Sequence, residues 1–502
     1  MNKVIAQDLE LVDKFQKEII LLGQTSALLH WDNQTYMPAS GMEGRAEQLS
    51  FLQSLIHKRM TDDLFFAAVN RLQKVSGKLD DDRRALIRKL HKTISKSRKL
   101  PAFFVEELSK TCSLSFDAWK RAREKKDWEI FRPHLEKVVA LKRQEARYYN
   151  FSGHPYNSLL DEFEEGMTVE KLSPLFDQLK KGLLDLLDRI EKSEGYKKRS
   201  KNLEQGSFSR EGQLAFAKLL TERLGLANDF SRLDISEHPF STKIGKGDFR
   251  ITTNVRDDPY FSIGSTIHES GHALYERGMS ATVNDYSFLC EAPSYGLHES
   301  QSRFWELMIG LSQPFWNYFF PLLSDGFTIK ENFSEWYKKI NQVRKGPIRI
   351  EADEVHYCLH IILRFELERD LISGKLEVGD LKKVWNKKIG EYFGISVKDD
   401  KEGVLQDVHW SEGYFGYFPS YAIGTIYAAQ LFLQLTKDHP ALISEMSNGD
   451  FSGVRAWLQQ KVHHYGSRKL ADEIIKQVCG KGLSIESFLS YLDEKYGKLY
   501  GF

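Results

Sequence analysis

The segment 265-STIHESGHALYERG-278 sets two histidines four residues apart, with a glutamate directly after the first. Just upstream, "DDPY" (257–260) carries two acids and then Pro259, a strong helix-start signal, and Gly278 stands where such a helix would end. On a helix, His268 and His272 project from the same side of successive turns. That separation suits two imidazole nitrogens on one zinc ion. Glu269 points to the flank, where it can reach a metal-bound water without taking a coordination position, which is the HExxH pattern of zinc peptidases. The residue types follow from the chemistry: zinc lowers the pKa of its water to about 7, and a nearby carboxylate takes the proton as that water attacks a carbonyl.

A catalytic site needs a third ligand, and "EAPSYGLHESQSRFWELM" (291–308) offers Glu291 and Glu299. Glu276 lies one turn beyond His272, but a third ligand from the same helix gives poor tetrahedral geometry. Pro293 and the periodicity after it predict a second helix carrying Glu299, which is the preferred ligand; Glu291 is the alternative if that helix begins earlier.

Outward from this segment the chain reads as helical. "LVDKFQKEIILLGQTSALLHWD" (11–32) and "LFDQLKKGLLDLLDRIEK" (175–192) return apolar residues every three or four positions, and 13 prolines in 502 residues fit a mainly α protein. The polar, basic stretch "KSEGYKKRSKNLEQGS" (192–207) is the best linker candidate. The exception is 231–260, rich in Thr, Ile and turn residues, which predicts a hairpin with an added strand. Along "DFRITT", Asp248, Arg250 and Thr252 share one strand face and Phe249 and Ile251 the other, so a polar face could line a cleft.

Composition narrows the function classes. A net charge of +1 argues against a general nucleic-acid binder, which needs a basic excess. No run of about 18 apolar residues predicts a membrane span. The N-terminus reads as an amphipathic helix without a signal-peptide core, and four scattered cysteines read as free thiols, so a cytoplasmic location is expected. Length alone would allow three ordinary domains.

Two further regions carry polar residues of interest. In "GPIRIEADEVHYCLHIILRFELERDL" (346–371), read as helical after Pro347, Arg349 and Asp353 are four residues apart and could share a face, Arg349 for a substrate contact and Asp353 for support. "EGVLQDVHWSEGYFGYFPSYAIGTIYAAQ" (402–430) crowds Asp407, His409, glycines and tyrosines together and reads as a binding loop, with His409 and Tyr421 as donors to the oxyanion of a tetrahedral intermediate.

Taken in order, "ALLHWDNQTYMP" (27–38), "HPF" (238–240), "DFRIT" (248–252), "HESGH" (268–272), "HESQSR" (298–303), "IRIEAD" (348–353) and "GVLQDVHW" (403–410) resemble the carboxypeptidase Taq family of zinc metallocarboxypeptidases over nearly the full length. The resemblance implies a mainly α, neurolysin- and angiotensin-converting-enzyme-like fold with a deep groove and a small antiparallel β-sheet. It implies a single catalytic domain over 1–502, with a helical part (1–200) and a part carrying the zinc site (201–502) as the subdivision. His268, His272 and Glu299 would hold one Zn2+ per chain, with Co2+ as a substitute, and Glu269 would be the general base. Residues would be removed singly from peptide C-termini with broad tolerance, by a homodimer. His238, Arg250 and Arg349 would bind substrate, and Asp248 and Asp407 would support them. A guanidinium suits a terminal carboxylate, but spacing leaves open which of the three meets it. The alternative reading is an oligopeptidase or dipeptidyl carboxypeptidase on the same scaffold. A peptide-binding protein without turnover is disfavoured because His268, Glu269 and His272 are all intact.

Overall fold

Apolar side chains at three- and four-residue spacing make most of this chain helical. The computed structural model describes residues 3–198, 208–327, 329 and 331–502. In the helix Val169–Lys192, Leu172, Phe176, Leu179, Leu183, Leu186 and Ile190 form one buried stripe, and the Thr168 side chain caps its start by accepting from the Lys171 N–H. Full burial of a leucine such as Leu183 contributes about 1.5–3 kcal/mol, and truncating it to alanine costs about 2–5 kcal/mol because the cavity does not close. The predicted N-terminal amphipathic segment lies within one long helix, Lys3–Thr35. Of the expected linker, Glu194–Lys197 is a helical turn, and 199–207 lie outside the described residues.

Two helices form the interior: Tyr357–Ser373 and Phe418–Asp438 are buried on nearly every side. A helix buried all round must pair its charges inside the protein. Accordingly Arg364 donates to Asp407 at 2.6 Å, Glu366 accepts from Lys180 at 2.6 Å, and Glu368 accepts from the Trp410 indole at 2.7 Å. The helix expected directly after Pro347 begins later. A single 3-10 turn, Arg349–Glu351, ends at Ala352 in extended backbone, and the long helix starts at Tyr357.

The sheet comprises β1 (Ser231–Ile235), β2 (Ser241–Gly245) and β3 (Asp248–Thr253) in the order β1-β3-β2. β2 and β3 are the predicted hairpin, turning through Gly247 at φ 74°. The sheet is mixed rather than wholly antiparallel, because β1 runs parallel to β3. The cause is local. The segment 236–240 crosses over the end of β3, where Thr252 Oγ1 bonds Ser236 Oγ at 2.6 Å and accepts the Phe240 N–H at 2.9 Å. That crossing delivers β2 to the far edge. Phe249 and Ile251 face the core as predicted, but Thr252, on the polar face, is also fully buried. All four cysteines are free thiols, Cys290 and Cys358 buried and Cys112 and Cys479 half-buried. Among the described residues no helix is long and apolar enough to cross a membrane.

Candidate active site

The helix Pro259–Ser280 starts as its sequence dictates: the Asp258 side chain accepts the Tyr260 N–H and Pro259 takes the first turn. It runs two residues past Gly278. That glycine sits inside the helix because His463 and Gln459 press on it, and Gln459 donates to its carbonyl at 3.0 Å. One turn apart, the His268 and His272 rings have centroids 5.0 Å from each other. Glu299 comes from the next helix, Tyr295–Arg303, whose start is capped by the Ser294 side chain. Glu299 Oε2 lies 3.8 Å from His268 Nε2 and 3.6 Å from His272 Nε2, and ligand atoms from all three fall within 4.8 Å of one another. Around zinc with bonds of about 2.0–2.1 Å, tetrahedral ligand atoms stand roughly 3.3–3.5 Å apart. Two imidazoles and a carboxylate with that spread therefore fit a divalent cation. The other carboxylates weighed from sequence are engaged elsewhere: Glu291 pairs with Lys89 at 2.7 Å and Glu276 with His298 at 2.9 Å.

Two glycines let the helices close around this cluster. A Cβ on Gly271, within the HESGH segment, would lie 2.6 Å from the Gln301 carbonyl oxygen. On the helix Phe418–Asp438, a Cβ on Gly424 would lie 2.8 Å from Cβ and Cγ of Glu299. Beyond the cluster a second set of side chains holds it. His268 Nδ1 bonds Glu306 at 2.8 Å, which aims Nε2 at Glu299. Arg303 donates to Glu299 at 2.8 Å and to Glu306 at 3.1 Å, and its guanidinium lies 4.1 Å from the Tyr357 ring centroid. His272 stacks on His298, centroids 4.4 Å apart. Sequence reading missed Glu306, Arg303 and His298. The signal was present: Glu299, Arg303 and Glu306 recur at four- and three-residue spacing, one helix face. The turn widens there to a π-helix, Phe304–Ile309, a distortion common at functional sites.

Burial and neighbouring charge divide the titrating groups. Burial works to lower His268, but Glu299 and Glu306 beside it prevail and lift it to about 9 on protein charges alone. His272 goes the other way, held well below the usual histidine range by burial and by nearby cationic groups, so it is the neutral imidazole that ligates metals. Glu269 is pushed up to about 7 by burial, opposed by His268. Glu306 stays below the usual carboxylate range despite burial because Arg303 and His268 flank it.

The remaining predicted residues fall in two groups. Arg349, Asp407, His409 and Tyr421 come together: Arg349 Nε donates to Asp407 at 2.9 Å, and His409 Nε2 lies 3.2 Å from the Tyr421 hydroxyl. Arg349 also donates to the Tyr357 hydroxyl at 3.3 Å, so contacts run from Glu299 through Arg303 and Tyr357 to Arg349. Burial, with Arg349 and Arg364 nearby, holds His409 down at about 3, a neutral ring. Asp353 does not join them. With the helix broken at Ala352, its carboxylate instead accepts the Val355 N–H at 2.9 Å and bonds His356 Nδ1 at 2.6 Å, and Asp407 takes the place beside Arg349. Asp248 and Arg250 pair at 2.8 Å on the sheet, with the Arg250 guanidinium 4.2 Å from the Trp31 ring centroid. His238 is exposed on the crossing segment, its carbonyl accepting from Ser236 at 2.7 Å. β3 is joined to the histidine helix at its end, where Thr253 and Ser265 hydroxyls bond at 2.8 Å.

Comparison with known proteins shows which family the chain resembles along its length. The chain is 38% identical over 511 residues to thermostable carboxypeptidase 1 of Thermus thermophilus, spanning 97% of this chain and 98% of that one. It is 35% identical over 488 residues to carboxypeptidase 1 of Bacillus subtilis, spanning 96% and 97%. The crystal structure of the M32 carboxypeptidase from Deinococcus radiodurans R1 superposes with a TM-score of 0.94 at 35% identity, over 99% of this chain and 100% of that one. The family described as carboxypeptidase Taq (M32) metallopeptidase matches residues 11–496. A family match along nearly the whole chain, relatives at 35% and 38% identity and a shared fold together make this chain a member of the carboxypeptidase Taq (M32) family of metallopeptidases.

Proposed function

We propose that the chain is a zinc carboxypeptidase that releases single amino acids from the C-termini of peptides with broad side-chain tolerance. The observation that carries this reading is the convergence of His268, His272 and Glu299 to within 4.8 Å, with Glu269 buried beside them. These three residues would hold one zinc per chain, or cobalt in its place. When bound there, the cation supplies Lewis acidity, polarising the scissile carbonyl and making water acidic near neutral pH.

The chain's own groups do the rest. Glu269 takes the proton of the attacking water and returns it to the leaving amine. Glu306 and Arg303 keep His268 and Glu299 in place. His409 and Tyr421, a neutral imidazole and a phenol kept protonated by burial, donate to the oxyanion. A free C-terminal carboxylate calls for a cation. Arg349 is supported by its contact chain to Glu299, while Arg250 and His238 stand on the sheet and its crossing segment and suit contacts farther along the peptide. Asp407 and Asp248 orient the two guanidinia. Free cysteines favour a reducing, cytoplasmic setting. One catalytic domain is supported by helices from both halves lining a shared cavity, and the expected homodimer is checked by light scattering.

The test is metal analysis of the purified protein beside a time course of amino acids released from one peptide with a free and an amidated C-terminus. Sequential release from the free peptide alone is expected. Equal cleavage of the amidated peptide would instead favour an oligopeptidase.

A further inference from the structure

The helix Asp81–Ser97 presents Arg88, Lys89, Lys92 and Lys96, one face by their spacing, to a cavity of about 600 Å³ that Tyr295 and His298 also line. Since His298 stacks on His272, this cavity adjoins the proposed metal cluster. The three lysines are already engaged. Lys89 pairs with Glu291 at 2.7 Å, Lys92 with Asp161 at 2.9 Å, and Lys96 with Glu162 at 3.6 Å. Arg88 differs: it has no hydrogen-bond or ion-pair partner among the described residues, and its Nε is buried without an acceptor. A guanidinium has five donors in a fork that matches a carboxylate, and the side chain that carries it lines this cavity. On the same cavity Phe163 and Tyr295 pack edge to face, centroids 5.3 Å apart, an uncharged surface for the body of a peptide.

We propose that Arg88 is a specificity-determining residue that binds an acidic side chain of the bound peptide, the terminal carboxylate being left to Arg349. This rests on the carboxypeptidase reading above. The test compares the zinc-loaded wild type with R88Q and R88K on free-C-terminus peptides carrying Glu or Gln at each of the last four positions. R88Q is expected to lower kcat/KM by about tenfold or more, mainly through KM, with R88K intermediate, as loss of a charge-assisted contact requires. Loss confined to Glu peptides supports the assignment; an equal loss on Glu and Gln peptides would overturn it. Circular dichroism and metal content check that the variants fold, and if R88Q does not, R88K carries the same comparison. Kinetics unchanged on every peptide would overturn the assignment to Arg88. A wild type that releases no amino acids would overturn the carboxypeptidase reading instead.

Discussion

Glu269 and Glu164 are both buried carboxylates lifted to about 7, yet they serve different ends. Among the described residues Glu269 makes no hydrogen bond to a neighbouring side chain, as befits a group that must reach a water. In Glu269→Gln the shape is kept and the proton transfer is lost. Peptide hydrolysis is expected to fall by about 10²–10⁴-fold with zinc still near one per chain by elemental analysis. Unchanged hydrolysis would remove Glu269 from the mechanism. Glu164 is structural: it accepts from the Ser420 hydroxyl at 2.6 Å and from the Gly296 N–H, tying the glutamate helix to the interior. Its pKa is raised by burial from 4.5, so the folded chain keeps a proton that the unfolded chain gives up. Its contribution to stability is therefore complete below about pH 4.5 and is lost as pH rises through about 7. Glu164→Gln should flatten the fall in unfolding free energy between pH 5 and pH 8, by at most about 3 kcal/mol, read from the denaturant midpoint. A variant whose midpoint falls as steeply as the wild type's would contradict this.

At the scale of the element, the histidine helix could be read from its own residues because its start cap and ligand spacing are local. What surrounds it could not. Gly271 and Gly424 matter only because another helix comes within contact of them, and nothing in their neighbours along the chain says so. Asp353 parts from Arg349 because four-residue spacing implies a shared face only on an unbroken helix, and the break at Ala352 has no strong sequence signal. Glu306 was legible in principle by its spacing from Glu299. Its role predicts that Glu306→Gln, which leaves every ligand in place but loosens the His268 ring, weakens zinc binding by about 10–100-fold in competition with a chelator. An unchanged affinity would mean that packing alone orients the ring. Gly424→Ala, by forcing Glu299 aside, should weaken zinc binding in the same assay.

Over the whole molecule, helical class, the strand-rich insertion and the meeting of His268, His272 and Glu299 were legible, since each is written in periodicity or motif. The strand order was not, because it depends on where 236–240 crosses, and that is decided by Thr252 bonding residues 12 and 16 positions away. The same long-range character governs stability. Helix Pro259–Ser280 and helix Tyr295–Arg303 meet at His268, His272 and Glu299, and an ion shared by the three would act as a cross-link between segments that the chain connects only through 281–294. A ligand held only by the folded state stabilises it by RT ln(1 + [L]/Kd), about 2.7 kcal/mol at a hundredfold excess over Kd. Adding zinc to chelator-treated protein is therefore expected to raise Tm by a few degrees, with the rise growing as the logarithm of free zinc. In Glu299→Gln the carboxylate ligand is gone and the rise should shrink or vanish, while the Tm of the chelator-treated variant shifts only by what losing the Arg303 contact costs. A zinc-dependent rise of equal size in both proteins would mean that the ion is bound somewhere other than between these two helices.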